Sequence, residues 1–168
     1  MRADRDHPVI RRAELFGPDG VSVSAAVGEY LRQTEAEKRR EGISSEPLGK
    51  SGALPEHYRA EVDDPVAAYD DFDVLVADVD GVVVGVVVVA PRGGDAEIKR
   101  LWAAPALRGR GIGSALLDAA VAASDGPIRL SVWDWRIGAR RLYESRGFRE
   151  VPSWDGRDRL VCMIRQRD

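Results

Sequence analysis

Between positions 108 and 114 the chain reads Arg108-Gly109-Arg110-Gly111-Ile112-Gly113-Ser114. The types and spacing suit one kind of chemistry, the holding of a pyrophosphate. The segment follows a strand-like run and leads into an amphipathic stretch, so it is expected at the N-terminus of a helix. Unpaired N–H groups and the positive end of the helix dipole meet at such a place. Glycines let a ligand come close to the backbone, and the two arginines add positive charge. A dinucleotide fingerprint, Gly-x-Gly-x-x-Gly, does not fit: counted from Gly109 the third glycine falls on Ser114, and from Gly111 on Leu116. NAD is therefore disfavoured.

Other residues are candidates for weaker reasons. Trp133, Asp134 and Trp135 follow a strand at its C-terminal end, where open α/β sheets place ligands. Trp133 and Asp134 are read as acceptor-pocket residues, with burial in the core as the alternative. Tyr30, on a predicted first helix, is a further acceptor-site candidate. Gly49-Lys50-Ser51 resembles the tail of a phosphate-binding P-loop, but position 44 is Ser44 and no hydrophobic strand precedes it, so the segment is read as a loop. His7 and His57 stand alone, with no partners at metal-ligand spacing, and no metal is expected. Asp70, Asp71 and Asp73 read as a solvated loop.

The elements that must position these residues are legible in outline. Val9 to Ala13 reads as a short strand. From Val21 the residues Val23, Ala26, Val27, Tyr30 and Leu31 recur at helical spacing, and Gly42 is the expected stop. A short helix is expected around Glu56 to Val62 or Pro65 to Tyr69. Val74 to Val79 and Val82 to Ala90 are β-branched runs joined by Asp80-Gly81, a hairpin signal. In the next strand, Ala96 to Ala103, Ile98 and Leu101 lie three apart where one strand face repeats every two, which predicts a β-bulge between them. Gly111 to Ser124 is an amphipathic helix with Ile112, Leu116, Ala119, Ala120 and Ala123 as its stripe. Ile128 to Trp133 is a strand, about Ile137 to Arg146 a helix ended by Gly147, and Phe148 to Val151 with Leu160 to Ile164 a closing pair of strands. Strand, helix, strand implies a parallel pair with a right-handed crossover. The expected class is α/β: one domain over 1–168, with a mixed sheet antiparallel at its start and parallel at its centre, flanked by helices.

Three segments together resemble the GNAT superfamily of N-acetyltransferases. Arg108-x-x-Gly111-x-Gly113 looks like that family's acyl-CoA loop. Glu97-Ile98-x-x-Leu101-x-Ala103 sits where the family has its bulged fourth strand. Ala139-x-x-Leu142-Tyr143-x-x-x-Gly147-Phe148 resembles its final helix and the turn after it. The resemblance runs from about Val74 to the C-terminus. It implies that acetyl-CoA is the acyl donor, that no metal takes part, and that the product is an acetylated amine. It further implies that Leu101, Trp102 and Ala103 meet the pantetheine arm in a gap between the fourth and fifth strands, and that Arg108, Gly109, Arg110, Gly111, Ile112, Gly113 and Ser114 hold the pyrophosphate. Tyr143 takes the position of the general acid that protonates the departing thiolate. Glu97 matches a position that often holds the general base, with a structural pairing to a neighbour such as Lys99 as the alternative. Arg136 stands where many members carry asparagine; contact with the cofactor's phosphates and a plain surface position are both open.

Composition agrees with a folded, enzyme-sized domain. The chain has 168 residues, 44% hydrophobic and 32% charged, enough for a hydrophobic core and too apolar for a disordered chain. No apolar run is long enough to cross a bilayer, and the charged start, Met1 to Asp6, does not read as a secretory signal. A lone cysteine, Cys162, suits a reducing compartment, so a cytoplasmic location is expected. A net charge of −3 argues against broad binding to nucleic acid. The expected partner is a small-molecule or peptide amine, and a homodimer is compatible with such a fold. The competing class is a non-catalytic acyl-CoA-binding module that keeps the glycine loop and lacks the catalytic groups.

Overall fold

The computed structural model describes residues 7–43 and 54–168. The Gly49-Lys50-Ser51 segment lies outside the described residues. The elements in chain order are β1 (Val9–Arg12), α1 (Asp19–Arg40), α2 (Glu56–Asp63), α3 (Pro65–Ala68), β2 (Asp73–Val79), β3 (Val82–Arg92), β4 (Asp95–Ala103), a 3-10 turn (Pro105–Leu107), α4 (Ile112–Ala123), β5 (Ile128–Trp133), α5 (Ile137–Ser145), β6 (Arg149–Val151) and β7 (Leu160–Arg165). The seven strands form one sheet in the order β1-β2-β3-β4-β5-β7-β6. Every neighbouring pair is antiparallel except β4 and β5, which run parallel. The last two strands pair with each other as expected, but it is β7 that lies beside β5 and leaves β6 at the edge.

Successive valines of β3 point to opposite faces, and both faces are covered. Val87 and Val89 pack with Ile112, Leu116 and Leu117 of α4, while Val86 and Val88 pack with Val23, Val27 and Leu31 of α1. A strand buried on both faces reads as a continuous apolar run, which is why Val82 to Ala90 shows no alternation. The Asp80-Gly81 turn has positive φ at both positions, 52° and 84°, as a two-residue hairpin turn requires. The buried face of α4 includes Leu117, whereas Ala123, expected on the stripe, is exposed. Burying a leucine removes more apolar area from water than burying an alanine, so the helix is rotated to hide it.

Two contacts set where the ends of α1 and α4 fall. At Gly85 an added Cβ would stand 2.8 Å from both Ile112 Cγ2 and Leu116 Cδ1, so the glycine lets the first turn of α4 lie close on β3. At the other helix, Asp19 is buried and accepts hydrogen bonds from Arg11 Nη1 (2.6 Å), Arg11 Nη2 (3.0 Å) and Glu14 N–H (2.7 Å). Arg11 also reaches Asp78 at 3.0 Å, so one guanidinium fastens β1, β2 and the start of α1. The hydrogen bonds from Arg11 hold the Asp19 carboxyl below the usual aspartate range. Among the described residues no helix is long and apolar enough to cross a membrane.

Candidate active site

The predicted bulge is present. Val88 pairs with Arg100 and Val89 with Ile98, which leaves Lys99 as the extra residue of β4. It coincides with a second break. β4 and β5 pair only at Ala96–Ile128, Glu97–Arg129 and Ile98–Leu130, and beyond Ile98 and Leu130 no pairing continues. β4 stays bonded to β3 on its other side through Ala103, and β5 to β7 through Trp133. The two facing edges therefore carry backbone N–H and C=O groups with no strand between them. Such edges can hydrogen-bond an extended ligand as an added strand would. A cavity of about 930 Å³ fills this gap, with Ile98 and Leu130 among the residues lining it.

One end of the cavity is the glycine loop. Arg108, Gly109, Gly111, Ile112, Gly113 and Ser114 line it. Gly111 is the N-cap of α4, with φ 79°, and Gly109 has φ 85°. These left-handed conformations suit glycine. The first helical N–H to bond back is that of Ala115, to Gly111 O at 2.9 Å. The N–H groups of Ile112, Gly113 and Ser114 are left at the open helix end, where the dipole is positive. An added Cβ at Gly109, Gly111 or Gly113 would meet nothing within 4 Å, so there is open room beside the amides for a phosphate. Arg108 spans the mouth, from Ala103 O (3.3 Å) to Gln33 Oε1 of α1 (3.0 Å). Leu101, Trp102 and Ala103 line the adjoining wall. Arg110 is exposed and does not line the cavity.

Tyr143 is one of the lining residues. It is 8% exposed and packs against Phe148 at a ring separation of 5.8 Å. Its hydroxyl has no protein hydrogen-bond partner among the described residues. Burial pushes its pKa well above the usual tyrosine value, the nearby Tyr30 hydroxyl adds to the effect, and Arg136 partly opposes it. The group therefore keeps its proton throughout the neutral range and is equipped to give it to a developing anion.

Glu97 lies elsewhere. It is 5% exposed and does not line the cavity. Its carboxylate accepts from Arg92 Nε at 2.5 Å and lies 3.7 Å from Lys99 Nζ and 3.9 Å from Arg129 Nε. The physical reason is the register: at Glu97 the two parallel strands are still paired, and the gap opens only beyond Ile98. The structure thus puts Glu97 in the ion-paired arrangement that was the alternative reading, and does not bring it to Tyr143. Arg136 does not take the plain surface position that was one of its two expected readings. It is part-buried, lines the cavity, and spends its guanidinium on α1: on Glu37 Oε2 (2.5 and 2.9 Å), Thr34 Oγ1 (2.7 Å) and, at 3.4 Å, the Tyr30 hydroxyl.

Of the expected acceptor residues, Tyr30 and Trp133 line the cavity and Asp134 does not. Asp134 instead accepts from Arg159 Nε with both carboxylate oxygens at 3.1 Å. Trp133 is stacked on Trp135 at 4.9 Å, with planes 10° apart. The structure adds residues that the sequence reading did not single out: Thr34, Glu37 and Lys38 of α1, Tyr58 of α2, Lys99 and Arg100 at the bulge, and Arg157 of the β6–β7 loop. Two signals were present. Thr34, Glu37 and Lys38 continue the helical spacing that begins at Tyr30, and a bulge re-aims the side chains beside it. For Arg157 there was none. Among the described residues no group of three or more His, Cys, Asp or Glu is placed to hold a metal ion.

Comparison with known proteins is consistent with this geometry. Residues 70–150 match the model of the acetyltransferase (GNAT) domain. The fold matches the PaiA N-acetyltransferase of Thermoplasma acidophilum, solved in complex with coenzyme A, with a TM-score of 0.70 and 22% identity over 95% of this chain and 99% of that one. A Corynebacterium glutamicum protein described as histone acetyltransferase HPA2 and related acetyltransferase gives a TM-score of 0.69 at 22% identity, over 96% and 97%. The ribosomal-protein-S18-alanine N-acetyltransferase of Escherichia coli gives 0.63 at 16%, over 95% and 93%. At these identities the likeness to the solved structures is one of fold.

Proposed function

From the premise that this chain has the GNAT fold and that its residues 70–150 match the GNAT acetyltransferase domain, we propose that it is an N-acetyltransferase, moving the acetyl group of acetyl-CoA to a primary amine by direct attack in a ternary complex. The observation that carries this reading is the continuity of one cavity. It runs from the open N-terminus of α4, along two unpaired strand edges, past the Tyr143 hydroxyl. Acetyl-CoA supplies an activated acyl carbon on a thiolate leaving group. The amides of Ile112, Gly113 and Ser114 hold the pyrophosphate, with Arg108 beside them. Backbone groups of Leu101 and Ala103 hold the pantetheine arm and leave the thioester near Tyr143.

The chemistry then asks two things of the chain. As the amine nitrogen bonds to the acyl carbon and the carbon–sulfur bond breaks, the thiolate needs a proton, and the Tyr143 hydroxyl gives it. The amine must also arrive uncharged. Glu37 is the one carboxylate that lines the cavity among the described residues, and its Oε2 is taken by Arg136. In this reading the proton leaves through water rather than to Glu97, helped by the cationic wall, since nearby positive charge favours the neutral amine over the ammonium.

The test has two arms. Isothermal titration compares acetyl-CoA with NADH, and release of free CoA thiol is followed across a panel of amines. Binding of acetyl-CoA with turnover of at least one amine supports the reading. Binding with no turnover of any amine points to a non-catalytic acyl-CoA module, and preference for NADH removes the pyrophosphate assignment.

A further inference from the structure

The lining of the cavity is one-sided in charge. Among the described residues it presents six cations, Lys38, Lys99, Arg100, Arg108, Arg136 and Arg157, against a single carboxylate, Glu37. The whole chain has a net charge of −3, so the excess is local. Arg108 belongs to the phosphate end, and Arg136 is neutralised by Glu37 within the lining itself. The other four remain. Each has an acidic partner, respectively Glu35, Glu97, Glu61 and Asp155. None of those four acids lines the cavity. The cations face the space and their counter-ions stand behind them.

Three of these cations lie over aromatic rings of the same lining. Lys38 Nζ and the Arg157 guanidinium both lie over the Trp133 ring, at 5.8 and 5.7 Å. Arg157 is close enough to Tyr58, and its partner Asp155 close enough to Lys99, for each pair to interact electrostatically. Arg100 lies over the Tyr30 ring at 5.7 Å, and its buried Nε–H has no hydrogen-bond partner among the described residues. A buried donor left unpaired costs free energy that an incoming acceptor atom would recover. The Arg157–Asp155 pair has a half-exposed arginine, and exposed ion pairs are weak, so it yields readily to a ligand anion.

Resting on the acetyl-transfer reading above, we infer that the amine acceptor is a small molecule that also carries an anionic group, a carboxylate or a phosphate. The anion sits among Lys99, Arg100 and Arg157, beside Tyr58 and Trp133, while the amine points toward Tyr143. The same cations draw such a molecule in and favour its amine in the uncharged, attacking form.

Matched acceptors test this: an amino acid, its carboxamide, the amine lacking the carboxyl group, and an aminoalkyl phosphate of similar length. The expected result is a kcat/KM at least tenfold higher for an acid than for the carboxamide and the plain amine. The comparison of carboxylate with phosphate says which anion is preferred. Arg157→Gln raises KM about tenfold for the anionic acceptors only, and leaves acetyl-CoA affinity within about twofold. Equal or better turnover of the uncharged acceptors overturns the proposal while acetyl transfer stands. So does an Arg157→Gln variant that loses acetyl-CoA affinity, since the cations would then serve the donor. If no acceptor turns over, acetyl transfer fails, and calorimetry of the same compounds in the presence of CoA decides the charge question separately. Tighter binding of the anionic compounds upholds an anion site, and no preference removes it.

Discussion

The two ends of the cavity are built by opposite strategies. In the proposed reading the donor end comes from one run, Arg108 to Ser114, and relies on main-chain N–H groups at the start of α4. The acceptor end, in the same reading, is assembled from α1, α2, the bulge of β4, the end of β5 and the β6–β7 loop, and relies on side chains. A backbone cradle constrains sequence only where a side chain would intrude, so it leaves a compact glycine signature. A side-chain pocket drawn from distant segments leaves no contiguous signature. The difference teaches that one end is recognised by spacing and the other only by folding the chain.

The sharpest probe of that division is Tyr143, which lines the cavity and is proposed to meet the leaving thiolate. Tyr143→Phe keeps the ring packed against Phe148 and removes only the hydroxyl. Steady-state kinetics should show kcat lower by roughly 10²–10⁴, with acetyl-CoA affinity nearly unchanged. The raised pKa of the buried hydroxyl has a consequence for pH. The proton is retained as pH rises, so the wild-type rate should show no falling limb from Tyr143 below about pH 10. A variant with full activity and a lower melting temperature would make Tyr143 a core residue.

The donor end alone is broken by Gly113→Glu. Gly111 is a poorer choice, because its φ of 79° would strain any other residue. Gly113 has ordinary helical backbone, open space around its Cβ, and a place in the cavity lining. The added carboxylate should lower acetyl-CoA affinity at least tenfold by titration, about 1.4 kcal/mol, with the fold intact. Unchanged affinity in the folded variant would show that phosphate binds elsewhere.

The same contrast explains what was legible beforehand. The sheet, its hairpin, the crossover helix and the bulge at Lys99 follow from periods of two and 3.6 and from turn residues, all of them local signals. The close seat of α4 on β3 was not legible, because Gly85 looks like a flaw in an apolar strand until Ile112 and Leu116 are seen above it. Nor was the order β5-β7-β6, which depends on long-range pairing. In the site, the glycine loop was legible from its spacing, and Tyr143 only through the resemblance of its segment to the family's final helix. Arg157 could not, since nothing near it in sequence indicates that the β6–β7 loop reaches the cavity.

Arg136 sharpens the boundary between the ends. Its guanidinium serves Glu37, Thr34 and Tyr30 on α1, so Arg136→Gln should disturb the acceptor side. The acceptor KM should rise about three- to tenfold, near 1 kcal/mol, while acetyl-CoA affinity stays within about twofold. If titration instead shows the larger loss for acetyl-CoA, Arg136 belongs to the donor end and its contacts to α1 are secondary.

The smallest effect on rate is expected at Glu97, and that smallness is informative. Glu97 precedes the bulge, at a position where β4 and β5 are still paired, and its carboxylate is shared among Arg92, Lys99 and Arg129. A general base must come within hydrogen-bond reach of the proton it removes, directly or through a water. Glu97 lies in the closed part of the strand pair and does not line the cavity. Glu97→Gln is nearly isosteric, so it removes charge and little else. Three cations then lose their shared counter-ion in a partly buried setting, which should cost about 1–3 kcal/mol of stability, discounted because the cations are part-exposed. The melting temperature should fall by several degrees. The acidic limb of the kcat/KM profile should keep its position, and kcat should change less than about threefold. An acidic limb that moves in Glu97→Gln, with stability held, would return the proton to Glu97 by a water chain and would place its carboxylate in the chemistry after all.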